Sequence, residues 1–591
     1  MIRTSLRLLL ASLGAVLTLS LAACGGSDSK SGGGASGGAK PDVSAGKVPS
    51  DAKRGGTLKQ LGGSDVDYLD PGHSYFQGGY QVIYAMGRPL YGFKAGDPKQ
   101  IGDLAEGEPE VSQDAKTITV KLKKGVKFGP PVNREVVAKD VKYAFERFFS
   151  ENVGGQYGTY FSAIEGVPKK PTKGPKPISG ITTPDDQTLV FKLTEAAGVS
   201  VAAAMVMPIS IPVPEEYARK FDAKNPSTYN THVVSTGPYM IPNDAEGKLT
   251  GYKAGKSIKL VRNPNWDAKT DFKPAYLDEI DMSTNESNAS VAAQRVLKGS
   301  SMVLDTNPPA AELKLAFQKY KDQLVQVASG GWRWFPLNTK IKPLDDINVR
   351  KAIIAGFDRD AARKARGGKL TGGIPTHFLP PEFPGFEQAG GDQGPGLDFM
   401  SKPRGDMALA AKYFKAAGYP SGKYTGKDEI FLVTANVDPG KAQAEVAKAQ
   451  LEKLGFKVKF RAVPQDATYT EFCQVPAKEV GVCGAAGWFQ DFRDPQSMLD
   501  PTFKGANITK MGNNNLAQLD VPEIDAAMDK AAVLQGDERL KAWGEIDKMI
   551  TAQAPAIPFL WDNQSNIGSK NVNLVPGTYN VLTDFTYTSL K

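Results

Sequence analysis

The chain has 591 residues, 41% apolar and 23% charged, which is material for two or three packed lobes, well beyond one ordinary core. Its formal charge of +8 is spread among interspersed acidic and basic residues, so nothing in it demands a nucleic-acid partner. The histidines His73, His232 and His377 lie far apart with no His or Cys at metal-ligand spacing, which disfavours a zinc site and leaves them as expected surface or loop residues.

In chain order, Arg3 and Arg7 precede the apolar run Leu8 to Ala23, which ends in Leu21-Ala22-Ala23 ahead of Cys24. This reads as a signal peptide (1–23) rather than a membrane span. Cys24 is then expected to become a lipidated N-terminus outside the cytoplasm, and loss of the two arginines lowers the charge from +8 to +6. Residues 24–53 hold the lipidated cysteine and a Gly/Ser-rich stretch that cannot bury a core, a solvated tether with a reach of roughly 30 Å. The folded body starts near Arg54.

From Gly56 short apolar strands alternate with amphipathic helices. Thr117 to Leu122 alternates as a half-buried strand, and Val137, Val141, Phe145 and Phe148 share one helical face after Asn133, a good N-cap. Gly251 to Ser257 is one residue short of a Walker A loop and leads into the strand-like Ile258 to Val261, so it reads as a turn. Asp406 to Gly418 is a capped helix. Ile430 to Ala435 is β-rich, Pro439 opens a helix with Ala442, Val446, Ala449 and Leu454 inward, Gly455 ends it, and Val458 to Val463 is β-rich again. That is a βαβ unit with parallel strands. Asp537 to Gln553 is a last long helix. There is no G-x-S-x-G elbow, and the S-x-x-K spacing of Ser44 to Lys47 falls in the tether, so an enzyme is disfavoured.

With Cys24 consumed by lipid, Cys473 and Cys483 remain, ten apart. A disulfide suits an oxidising compartment and would contribute on the order of 3 kcal/mol in chain-entropy models; two buried thiols are the alternative.

Several segments, in order through the body, carry a resemblance. They are Leu104 to Arg147, with Asp114-Ala-Lys-Thr-Ile-Thr-Val-Lys-Leu-Lys-Lys-Gly125-Val-Lys-Phe128 and Lys139-Asp140-Val141; Ser235-Thr-Gly237-Pro-Tyr239; Leu260 to Trp266; Leu344 to Arg359; Gly418-Tyr-Pro420; Leu451 to Gly455; Gly487-Trp488-Phe-Gln-Asp491-Phe-Arg-Asp494-Pro495; and Ala554 to Pro558. The chain resembles the solute-binding proteins of ABC importers in the dipeptide/oligopeptide/nickel family (family 5). It departs after Phe128, where Gly129-Pro130-Pro131 replaces the family's usual turn.

The resemblance implies an α/β, two-lobed periplasmic-binding-protein-like fold (class II, double crossover) with an extra α+β domain on the first lobe. Lobe I would comprise 55–86, 228–329 and 557–591, the extra domain 87–227, and lobe II 330–556. It implies a ligand enclosed between lobes, with Asp491 pairing with a peptide's α-amino group; capping the following turn is the alternative role. Small residues Gly484, Ala485, Ala486 and Gly487 would let backbone approach the ligand, and Trp488 would wall the pocket. Gly63, Ser64, Tyr75, Phe76 and Tyr80 follow the first strand on the cleft side, and Trp332 and Trp334 share one face of the crossover strand. The implied role is lipid-anchored capture of oligopeptides for an ABC permease, by a monomer without cofactor, metal or nucleic acid. The Gly/Ser tether resembles lipoproteins of Gram-positive cells. Relatives also carry nickel chelates, opines, oligosaccharides or other amino compounds, and a peptide-sensing receptor is a further alternative.

Overall fold

The computed structural model describes residues 48–484 and 486–591. The signal segment, Cys24, the tether up to residue 47 and Ala485 lie outside the described residues. No described helix is long and apolar enough to cross a membrane.

Thr57–Leu61 lies parallel to Glu279–Ser283 on one side and to Val303–Leu304 on the other. Ser257–Arg262 extends that sheet antiparallel to Glu279–Ser283. Its alternation turns Ile258 and Leu260 into a core shared with Leu58, Tyr239 and Ile280. The turn reading of Gly251 to Ser257 agrees with this strand, since a phosphate loop would open a helix.

A second, four-stranded antiparallel sheet joins Glu110–Val111, Thr117–Lys121, Thr188–Lys192 and Ile181–Asp185. Helix Ala138–Phe148 covers it with Val141, Phe145 and Phe148, all buried. Asn133 does not cap that helix. It occupies a left-handed turn position (φ 58°) and donates to the Pro131 carbonyl, 3.1 Å away. Val137 is the cap residue instead, and the Asp140 carboxylate accepts its N–H at 2.9 Å. A short Asn side chain tolerates both positions, so residue type alone does not choose between them.

The βαβ unit is present. Glu429–Ala435 pairs in parallel with Lys457–Val463 along its whole length and with Val482–Cys483 at its end. The intervening helix, Gly440–Lys453, buries Gln443, Ala444, Ala447 and Leu451; of the expected inward residues Val446 packs half-buried against the same core and Leu454 is buried just past the helix end, whereas Ala442 is only half-buried and Ala449 is exposed. The helix is packed against the strands on one side and Arg359–Arg366 on the other. Cys473 and Cys483 form a disulfide. Helices Met407–Ala416, capped by Asp406, and Gly536–Ala552 match the expected ones.

Two long antiparallel strands, Leu324–Pro336 and Ala556–Ile567, connect the two halves, so the chain crosses between lobes twice. His377 is no surface histidine. It is fully buried between Asp547 Oδ2 (2.8 Å) and the Gly391 carbonyl (3.0 Å), and Asp547 also accepts the N–H groups of Phe378 and Leu379.

One buried ion cluster orients the turn that leads to the site. Arg147, on the helix of the second sheet, holds Asp70 (2.6 and 2.7 Å) and Asp222 (2.7 and 2.8 Å) in two forked pairs, and it is fully buried. Asp70 lies five residues before Tyr75, so the cluster fixes the first cleft segment against the extra domain. Arg147→Ala leaves two buried carboxylates without a counterion and should destabilise the protein by about 3–5 kcal/mol. Urea or thermal unfolding checks this; a loss below about 1 kcal/mol would contradict the role.

Candidate functional site

The crossover strand Leu324–Pro336 carries a second partner, Ala486–Phe489, with Arg333 opposite Gly487 and Trp332 opposite Trp488. Gly487 leaves room for the Arg333 guanidinium, which a Cβ there would displace. Beside this strand lies a cavity of about 330 Å³ walled by residues from four stretches of the chain, 60–81, 282–307, 333–516 and 564–582. That size is within the usual range of small-molecule sites.

Asp491, two residues past the strand, faces this cavity and is 5% exposed. Its Oδ2 accepts hydrogen bonds from Tyr75 and from Tyr160, the latter at 2.7 Å. No cation pairs with it among the described residues. Burial pushes its carboxyl up to about 7 despite the two hydroxyl donors, which act to lower it. Asp491 does not cap the following helix; Asp494 does, accepting the Gln496 N–H at 2.9 Å. Tyr160 comes from the extra domain, so three distant parts of the chain meet on one carboxylate.

Four residues back along the chain, about 13 Å if extended, the cavity wall becomes cationic. Arg333 and Arg366 both bind Asp562, with contacts of 2.6 to 2.9 Å, and both line the cavity. Around the wall several buried polar atoms have no partner among the described residues: both amide atoms of Gln443, Gln490 Oε1, Gln564 Nε2, Thr284 Oγ1 and Trp334 Nε1. Two more carboxyls border it. Burial pushes Asp67 up to about 6, against bonds from Tyr75 N–H and Ser74, and Asp305 up to about 7.

Of the expected site residues, Asp491, Trp488, Gly487, Gly63, Ser64, Tyr75, Phe76, Tyr80 and Trp334 line the cavity. Ala486 is fully buried and does not line it, and Ala485 lies outside the described residues. Trp332 is packed in the core against Trp334, Phe378 and Phe503, away from the cavity. Sequence reading missed Tyr160, Arg333, Arg366, Gln443, Gln564 and Tyr579. None of them left a local signal: alternation puts Arg333 on the face opposite Trp332 and Trp334, yet both Arg333 and Trp334 border the cavity, at the register shift between them.

The family described as bacterial extracellular solute-binding proteins, family 5 Middle, matches residues 99–510. The chain is 26% identical to heme-binding protein A of Haemophilus influenzae, over 79% of this chain and 80% of that one. It is 24% identical to the oligopeptide-binding protein OppA of Bacillus subtilis, over 80% and 84%. Among solved structures, the clavulanic acid biosynthesis oligopeptide binding protein 2 superposes with a TM-score of 0.76 at 24% identity, covering 93% of this chain and 97% of its own. This establishes the two-lobed fold.

The raised Asp491 carboxyl has a pH signature. A folded-state value above the unfolded one stabilises the protein below about pH 4, and that contribution is lost as pH rises through about 7. Asp305 and Asp67 act in the same direction. Asp491→Asn should therefore flatten part of the fall in ligand-free stability between pH 5 and 8. Thermal unfolding across that range tests it; an unchanged pH profile would contradict the protonated carboxyl.

Proposed function

The chain belongs to family 5 of the bacterial extracellular solute-binding proteins, and from that premise we propose that it captures short peptides between its lobes and delivers them to an ABC permease. The ligand's α-amino group meets Asp491 and its carboxylate meets Arg333 and Arg366. One observation carries this reading. A single cavity is lined by a buried carboxylate without a cation among the described residues, a pair of arginines sharing one aspartate, and several unpartnered amide, hydroxyl and indole atoms. A peptide backbone presents the complement of each: ammonium, carboxylate, and alternating N–H and C=O groups. Buried polar atoms left unmatched cost on the order of 1–3 kcal/mol each, so the wall favours a polar chain over an apolar ligand.

Charge at both ends lets the site select termini and leave side chains free, and closure around them strengthens both contacts by excluding water. The oligopeptide-binding relatives support the peptide class. On this reading the lobe limits fall at 86/87, 227/228, 329/330 and 556/557, and the ligand is held between the lobes. Anchoring follows from Leu21-Ala22-Ala23-Cys24 and the tether: a lipidated monomer on the outer face of a Gram-positive membrane stays close to its permease.

Native mass spectrometry of the folded domain as purified should show a series of co-purified short peptides. A single non-peptide mass, such as a nickel chelate or an opine, would overturn the peptide assignment. Titration should show affinity for a peptide amine rising up to about tenfold per pH unit below pH 7 as Asp491 ionises, and Asp491→Asn should weaken binding by about 1.5–3 kcal/mol; equal affinity in the variant would reject the role. For the anchor, Cys24→Ala should move the protein from the membrane fraction to the medium.

A further inference from the structure

The loop Pro576 to Leu582 forms a wall that three cavities share. Tyr579 lines the main cavity, a second chamber of about 200 Å³, and a small apolar pocket of about 70 Å³. Gln490, the residue before Asp491, lines both the main cavity and the second chamber. The far side of that partition is walled by Val327, Ala328, Phe383, Phe492 and Val581, with Glu382 and Arg493 at its rim. The ring of Tyr579 is held in place by aromatic neighbours: it stacks on Tyr80 (6.1 Å) and Phe93 (6.0 Å) and meets Tyr84 edge-on (5.1 Å). Tyr80 in turn tilts against Tyr75, whose hydroxyl bonds Asp491.

The backbone of this loop is fixed as firmly. Val581 is β-branched yet sits at φ 58°, a conformation such residues avoid and that persists where surroundings impose it. Here Asn566 Nδ2 donates to the Val581 carbonyl (2.9 Å), Val581 N–H donates to Gly577 O (3.0 Å), and Thr578 Oγ1 donates to Lys94 O (2.8 Å).

We propose that Tyr579 and Gln490 form a steric stop behind the Asp491 subsite, which makes the protein reject ligands extended beyond their amino terminus. The inference rests on the peptide reading above and adds a second basis for terminus selection. Asp491 rewards a positive charge, while the partition denies room to whatever would replace it, and specificity built from both attraction and exclusion is common at selective sites. With the Tyr579 side chain removed, the main cavity opens into the second chamber, which is large enough for an acyl group or a further residue.

The test separates charge from space. Isothermal titration is run with one tripeptide in free and N-acetylated form on wild type, Asp491→Asn, Asp491→Asn/Tyr579→Ala and Asp491→Asn/Gln490→Ala. In the Asp491→Asn background an ammonium has no charge advantage, yet the acetylated form should still bind about tenfold or more weakly than the free form. Adding Tyr579→Ala should close most of that gap, and Gln490→Ala, which removes less bulk from the other side of the partition, should close part of it. A gap that persists in both double variants overturns the steric stop. No gap in Asp491→Asn also overturns it, since charge alone then explains selection. If wild type binds neither a library of free peptides nor this one, the peptide reading itself falls, a result distinct from the other two. Should Tyr579→Ala unfold, Gln490→Ala alone decides.

Discussion

A carboxylate kept from water without a cation is the constraint around which this molecule is arranged. Asp491 takes both of its described hydrogen bonds from tyrosines 416 and 331 residues away, so its position is a property of the whole fold and of no local motif. Each element nearby serves to hold that arrangement. Arg147 clamps the turn that leads to Tyr75, the short helix Gly158–Phe161, packed into the core beneath the second sheet, carries Tyr160, and the crossover strand holds Ala486–Phe489 in register just ahead of Asp491. Two phenolic donors suffice to keep the acid in place but leave burial dominant, so its carboxyl stays near neutrality. On the proposed reading a ligand ammonium would supply the charge the site lacks, making binding and deprotonation one event.

The arginine pole follows a different rule. Two guanidiniums on one aspartate orient each other without an external partner, so that end is preorganised before anything binds, in keeping with the low reorganisation that tight sites need. Gly487 is the local condition for it, because any side chain there would displace Arg333. The strand that could lie beside a ligand and the cation that could receive its end are thus settled by one residue.

Much of the frame was legible in the residues themselves. The βαβ unit was readable because two β-rich runs flank a stretch with helical punctuation, and the helix of the second sheet because Val141, Phe145 and Phe148 repeat at helical spacing. Errors were local and had physical causes: Asn133 suits a left-handed turn as well as a cap, and the helix after Pro439 carries alanine on several faces, so spacing alone did not separate the buried Ala444 and Ala447 from Ala442 and Ala449. His377 was misplaced because its partner, Asp547, is 170 residues away. The site was half legible. Asp491 and Trp488 lie in a motif and Tyr75 follows the first strand, but Arg366, Gln443 and Gln564 enter the wall, and Tyr160 reaches Asp491, through tertiary packing, for which no local pattern exists. Trp332 and Trp334 show the limit of periodicity: both share one face, yet only Trp334 borders the cavity.

The strand Ala556–Ile567 lies inside its sheet, between Gly372–Gly373 and Leu324–Pro336, and Tyr579 and Asn580 of the cavity wall come later still. Chains emerge from synthesis and export amino end first. A partly emerged chain therefore owns Tyr75, Tyr160 and Asp491 but neither Asp562 nor the wall behind the amino subsite. The cavity wall is therefore complete only once Ala556–Ile567 has paired and the loop that carries Tyr579 has folded against Tyr80, Tyr84 and Phe93.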